Sequence, residues 1–303
     1  MNIIPVVTKL VLLISIMFAG YAFARKNLIS PAFIKQASWL TVNLFMCAGI
    51  FYSIMGVDKT TPAGPGILYG TLSVLIGYAI AIPAGKLFFK DDSESPVLRL
   101  LMAVNNPLFI GIPLAASLYG SLGSFYVALS CIPFNLMLYG LGVYWLVKGK
   151  SSDGSFNWKN LISAPMVTIL VSILLFALKL EMPPIVMELA STLNGATVPM
   201  SMLVVGGSLG RISLKEAFTD KKAYITAFFR IVLAPLITLP VMKAFISDPV
   251  LLGTVVVCAA CPSAIAISVL AATYDYDGTL ASKGILLSSV LSLITIPLIL
   301  LLV

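Results

Sequence analysis

Apolar residues fill this chain in windows of roughly 20 positions, the length a helix needs to cross a bilayer, and charges or turn residues interrupt them at regular intervals. Read by those boundaries, the sequence predicts ten crossings. The first five are Pro5–Ala24, Gln36–Met55, Gly66–Phe89, Val97–Tyr119 and Phe125–Val147. The second five are Leu161–Leu178, Ile185–Leu209, Ala223–Phe245, Pro249–Thr273 and Leu280–Val303. The longest polar stretch, Lys148 to Lys159, falls midway, so residues 1–147 and 161–303 read as two five-helix units joined by a cytoplasmic linker at 148–160. A repeat with an odd number of crossings is inverted relative to its partner. Short matches in the same order support a repeat. Pro5-Val6-Val7-Thr8 pairs with Pro165-Met166-Val167-Thr168, and Pro96-Val97-Leu98 pairs with Pro249-Val250-Leu251. Pro107 precedes Tyr119 by the same twelve residues that separate Pro262 from Tyr274. The predicted fold is an all-α polytopic membrane protein, ten transmembrane helices in two inverted five-helix repeats.

Composition narrows the function. Of 303 residues, 59% are hydrophobic and 10% charged, far below the quarter expected of a soluble domain, and the mean hydropathy is +1.05. Histidine is absent, which removes Ser-His and Cys-His catalysis, the H-E-x-x-H zinc site and any histidine proton relay. The net charge of +7 comes from basic residues scattered between apolar runs, with no continuous patch for nucleic acid. Those residues mark topology instead. Fourteen lysines and arginines fall in the odd-numbered loops, four lie on the other side with both termini, and Arg230 sits within a span. The positive-inside rule then places both termini outside the cytoplasm. Arg25 and Lys26, after the first apolar run, argue for a retained span over a cleaved signal. Cys47, Cys131, Cys258 and Cys261 lie in apolar segments, and Cys258-x-x-Cys261 has no second ligand pair to complete a metal site. No cofactor is expected.

The fourth span carries Asn105-Asn106-Pro107-Leu108-Phe109-Ile110-Gly111-Ile112-Pro113, in which two prolines and a glycine interrupt the helical ladder. The ninth carries Cys261-Pro262-Ser263-Ala264 at the matching place. Paired interruptions in two repeats are the sequence mark of a transporter binding site, because unwound backbone at that depth needs protein or a water-filled cavity. Half-helix N-termini there offer free N–H groups and positive dipole ends to an anion. Asn105, Asn106 and Ser263 add neutral hydrogen-bonding groups, at less cost than a second buried charge. The competing reading is a pair of proline kinks with asparagines bonding freed carbonyls. Arg230, about eight residues into the eighth span, reads either as an attractor for a substrate carboxylate or as a side chain snorkelling to the interface beside Lys221 and Lys222. Asn43 in the second span could line the site or bind a neighbouring helix, and Gly206-x-x-x-Gly210 reads as close packing. Glu188, Asp275 and Asp277 lie near span ends, so the coupling ion, H⁺ or Na⁺, stays open. Tyr274 to Gly278 reads as a turn, since no second aspartate motif accompanies it, and Ser282-Lys283 point to different helix faces, so an enzyme is not expected.

At these residues the chain resembles the auxin efflux carrier family, which includes plant auxin transporters and bacterial malate or malonate permeases. Asn106 to Leu114 is similar to the family's N-t-G-f-i-G-i-P-l segment, Ala196-Thr197-Val198-Pro199 through Gly206 to its a-a-t-P-l segment, and Ser288 through Pro297 to its final span. The resemblance covers nearly the whole chain. It implies spans one, two, six and seven as scaffold, the others as a mobile transport domain, and crossing broken helices four and nine around the substrate. It also implies elevator-type movement against a scaffold that forms a homodimer. Cys47 stands where many relatives have proline, and Ala266 where many have asparagine. The expected function is secondary transport of a small organic carboxylate in a bacterial cytoplasmic membrane, with a substrate site of Asn105, Asn106, Pro107, Gly111, Pro113, Pro262, Ser263, Arg230 and Asn43. Two alternatives stay open: a sodium-coupled carrier resembling bile acid symporters, and a non-transporting receptor that senses an anion.

Overall fold

The computed structural model describes residues 3–90, 92–150, 163–211 and 214–303. Most of the linker expected at 148–160, and the first two residues of the sixth predicted crossing, lie outside the described residues. The elements among the described residues are all helices: α1 (Ile3–Arg25), α2 (Pro31–Met55), α3 (Gly64–Phe88), α4 (Ser95–Ala103), α5 (Pro107–Gly149), α6 (Ala164–Ala177), α7 (Pro184–Leu209), α8 (Leu214–Thr219), α9 (Lys221–Lys243), α10 (Pro249–Ala260), α11 (Ala266–Thr273) and α12 (Gly278–Leu300). Starts follow local chemistry. Ser30, Ser163 and Asp248 accept hydrogen bonds from the first-turn N–H groups of α2, α6 and α10, each with proline in the first turn, where its missing N–H costs nothing.

Six helices, α2, α3, α5, α7, α9 and α12, are long and apolar enough to cross a membrane, and α6 and α10 are shorter apolar helices. Phe18, Trp39, Leu174, Ile185 and Leu298 point outward and are more than half exposed. In water that surface would cost about 25 cal/mol per Å², whereas lipid tails accept it without penalty. Hydroxyls and amides in the interior bond back to carbonyls four residues earlier, as with Thr41 to Ala37, Ser130 to Tyr126 and Asn135 to Cys131, at 2.7–2.9 Å. This local pairing is what allows polar side chains inside a membrane helix. The protein is an all-helical polytopic membrane protein.

The sequence places a loop between its fourth and fifth crossings; the structure replaces it with one residue. Gly120, at φ 63° and ψ −151°, interrupts α5 in a conformation that L side chains rarely adopt. A Cβ at Gly123 would sit 2.7 Å from the carbonyl oxygen of Ala115. Residues eight apart in a straight helix lie about 12 Å apart along the axis. The chain therefore doubles back at Gly120, and residues 107–119 and 121–149 are two arms of a hairpin. Among the described residues, turns open to i→i−5 bonding at Thr41–Phe45, Pro107–Gly111, Leu138–Gly142 and Phe229–Leu233, a device common near functional sites.

α1 lies along α7 in the most extensive helix pairing among the described residues. Gly206 and Gly210 face the α1 backbone, and a Cβ at Gly210 would meet the Tyr21 carbonyl at 2.7 Å. The glycine spacing thus packs two helices of one chain, as the sequence suggests. α2 packs on α6 and on the start of α7, α3 on α4 and on residues 121–137, and α9 on α10 and α12.

Polar contacts tie the connecting segments at one end of the bundle. Lys222 pairs with Asp92 at 2.5 Å, Lys283 with Asp220 at 3.7 Å, and the Asp277 N–H donates to Glu94 at 3.0 Å. Burial acts to raise the Asp92 pKa, but hydrogen bonds from Lys222 and the Glu94 N–H, with the Lys222 charge, outweigh it and hold the carboxyl below its ordinary range. A depressed folded-state pKa contributes stability that is present above the ordinary aspartate range, near pH 4, and is lost as pH falls through the depressed value. In thermal melts from pH 7 to pH 3 the wild type should lose a small increment, under about 3 °C, that Asp92→Asn lacks throughout; the exposure of Lys222 keeps it small. Parallel curves for the two proteins would remove this pair from the stability of the bundle.

Candidate functional site: the crossing of two broken helices

Helix α4 stops at Ala103 because Pro107 disfavours helical geometry at Asn106, which takes φ −112° and ψ 74°. Asn106 instead caps the next half-helix: its Oδ1 accepts from Phe109 N–H at 3.2 Å. Helix α10 stops at Ala260 in the same way, with Cys261 extended ahead of Pro262, and α11 begins at Ala266. The two unwound segments meet as an antiparallel bridge between Asn105 and Ser263, joined by Ala264 N–H donating to Val104 at 3.1 Å.

Each break then satisfies the other. Asn105 Nδ2 donates to the Cys258 carbonyl at 2.7 Å, near the end of α10, and Ser263 Oγ donates to the Leu101 carbonyl at 2.7 Å, near the end of α4. Arg230, in the widened turn of α9, serves both: Nη1 donates to Ala103 at 2.9 Å and Nη2 to Ala259. These bonds close orphan carbonyls at two helix C-termini inside the bundle. Asn105, Ser263 and Arg230 thus come together, and their donors are largely engaged with backbone. Arg230 is 3% exposed and does not snorkel.

Two buried donors at the crossing have no hydrogen-bond partner: Arg230 Nε, on a side chain whose other two nitrogens are engaged, and the Nδ2 of Asn106, which is 4% exposed. The cap on Phe109 fixes which end of the amide faces away, so the free group is the donor. A cavity of about 10 Å³, room for one water, lies beside the crossing, lined by Gly70, Ser73, Asn105, Pro107, Ser130 and Cys258 among others. A second, of about 40 Å³, opens between α1, α7, residues 107–119 and α12, with Met17, Ile110, Met202, Ser289 and Ser292 on its walls.

Pro107, Gly111 and Pro113 begin the half-helix that follows Asn106, and Pro262 directs the other break. A Cβ at Gly111 would meet only ordinary contacts of 3.5 Å and beyond, so steric room does not explain that glycine. Asn43 is placed elsewhere. Its Nδ2 donates to Trp39 at 2.9 Å, and it borders a separate cavity of about 420 Å³ with Cys47, Thr168, Ser172 and Leu189. Two contributors escaped the sequence reading. Ser288 Oγ accepts from Ser263 N–H at 3.2 Å, and nothing in the sequence separates it in that role from Ser289 and Ser292 of the same helix. Gly77 lies against Ala103 and Arg230, and only the repeat register could have found it.

Comparison with known proteins gives this geometry its setting. Residues 150–300 match the family described as membrane transport protein. An uncharacterized transporter of Methanothermobacter thermautotrophicus is 28% identical over 232 residues, covering 77% of this chain and 74% of the relative. An uncharacterized transporter of Methanocaldococcus jannaschii is 26% identical over 309 residues, 97% of each chain. With transporters matching along its length and its second half matching the membrane transport protein family, the chain is a membrane transporter similar to that family.

Proposed function

We propose that this transporter is a secondary carrier of a small organic anion, a carboxylate such as malate or an auxin-like acid, held at the crossing and moved by elevator-type alternating access. The observation that carries the proposal is the unpaired Nδ2 of Asn106. A buried donor left unsatisfied costs about 1–3 kcal/mol, and a carboxylate oxygen supplies the missing acceptor. The N-terminal end of the half-helix at 107–119 adds N–H groups and the positive end of its dipole.

The proposal includes ten crossings in inverted five-helix units, counting α4 with residues 107–119 as the fourth and α10 with α11 as the ninth. Packing supports a division into scaffold and transport domain: α1, α2, α6 and α7 pack on one another, while α3, α4, the 121–149 arm, α9, α10 and α12 pack among themselves. Both termini outside the cytoplasm, a cytoplasmic membrane and a homodimer built through the scaffold complete the proposed arrangement.

The test is radiolabelled malate uptake into proteoliposomes, with and without Na⁺ and an imposed proton gradient. Wild type should show saturable uptake, and Asn106→Ala should lose about 10- to 100-fold in affinity or rate, the value of a hydrogen bond to a charged group. Unchanged affinity and rate in a folded Asn106→Ala would take the substrate away from this residue.

A further inference from the structure

We propose that Arg230 is the resident cation of the crossing, a fixed charge that closes the C-terminal ends of both half-helices where an ion-coupled carrier would bind a mobile cation, so that transport proceeds without Na⁺. The charge site stands independently of the solute carried; the absence of sodium coupling rests on the transport reading above.

Helices α4 and α10 both end inside the bundle, at Ala103 and Ala260. Each C-terminus carries about half a negative charge, so the pair presents about one negative charge to the space between them. In broken-helix carriers such ends and their unwound carbonyls coordinate the coupling cation. Here the guanidinium of Arg230 occupies that place, with one nitrogen on Ala103 of α4 and another on Ala259 of α10. The ion pairs among the described residues, Lys222–Asp92 and Lys283–Asp220, do not include it. A buried guanidinium without a carboxylate is costly unless other groups balance it, and two helix ends do so here.

The repeat register shows how one cation serves two halves. The matched segments Pro96-Val97-Leu98 and Pro249-Val250-Leu251 are offset by 153 positions, and the same offset pairs Arg230 with Gly77. Gly77 lies against the guanidinium: a Cβ there would come within 3.4 Å of Arg230 Nη1 and 2.6 Å of the Ala103 carbonyl. One unit supplies the charge, and the other supplies, at the equivalent position, the space it fills.

The test compares thermal stability of purified wild type, Arg230→Lys, Arg230→Gln and Arg230→Ala in Na⁺-free buffer, with and without about 20 mM guanidinium or Na⁺. Removing the charge should lower the Tm of Arg230→Gln and Arg230→Ala by about 5–15 °C while Arg230→Lys retains most of it. Guanidinium or Na⁺, against a choline control, should restore Arg230→Ala saturably and leave wild type unmoved. If Arg230→Ala does not fold, Lys against Gln decides: Gln can still donate to the carbonyls, so a Gln variant as stable as Lys and wild type would overturn the charge assignment. Wild-type malate uptake that collapses when choline replaces Na⁺ would overturn the sodium-free cycle. Failure of malate to enter at all bears on the substrate proposed above, and the stability series still decides the cation site.

Discussion

Replacing Gly206 with alanine is expected to lower the Tm by more than about 10 °C or to prevent accumulation of folded protein, the largest stability loss of any single methyl added to this chain. The new Cβ would fall on the Met17 carbonyl, within 2.7 Å of its carbon and 2.9 Å of Tyr21 N, and both are backbone atoms that no rotamer change can move. Relief requires α1 to retreat from α7. In a membrane that separation forfeits the close dispersion contact that holds helices together where lipid gives no hydrophobic drive. A Cβ at Gly20 on the facing helix would come 3.1 Å from Gly207 N, and one at Gly210 would meet the Tyr21 carbonyl at 2.7 Å, so the retreat would open several close backbone approaches at once. Overpacking typically costs 1–3 kcal/mol in adaptable cores, and a backbone-to-backbone clash lies at or above the top of that range. Gly195→Ala is the control, because a Cβ there meets nothing within 4 Å. Melts of both variants in detergent check the prediction, and a Gly206→Ala protein within about 2 °C of the control would mean that α1 and α7 are not held at this distance.

Asn106→Asp should abolish uptake more completely than Asn106→Ala, by about 100-fold or more relative to wild type. Aspartate caps a helix as well as asparagine does, so the oxygen that accepts from Phe109 N–H is retained and the half-helix keeps its start. What changes is the group facing the proposed anion, from a neutral donor to a carboxylate that would repel it. Initial-rate uptake of malate by Asp, Ala and wild-type proteins of matched stability reads the order directly. Equal rates for Asp and wild type would show that no anion approaches Nδ2, whatever role the crossing plays.

Much of this site is written in prolines. Pro107 and Pro262 cannot continue a helical ladder, and each restricts the residue before it, so both interruptions were legible from the chain alone. The packing role of Gly206 and Gly210 was legible for a similar reason, since small residues four apart form a flat strip on one helix face. The division of labour among the polar residues was not. Asn105 and Asn106 are neighbours of identical chemistry, yet one spends its donor on Cys258 and the other keeps it free, a difference set by which carbonyl the opposite segment brings near. Arg230 was visible as a cation within a span, with the site and the interface both open to it, but its partners are backbone atoms at residues 103 and 259, which carry no sequence signature. Asn43 read either as lining the site or as bonding a neighbouring helix, and helix placement sends it to another cavity.

The single-residue reversal at Gly120 has a mechanical consequence. A loop of several residues between two helices gives slack, and one helix can slide while the other stays. Here the arm at 107–119, which Asn106 caps, and the arm from 121 onward are joined without slack. Any force that shifts the capped arm along the bundle is transmitted to its partner within one peptide unit. The two arms are thus a single lever, and lengthening the joint beside Gly120 would disconnect the capped end from the helix that carries it.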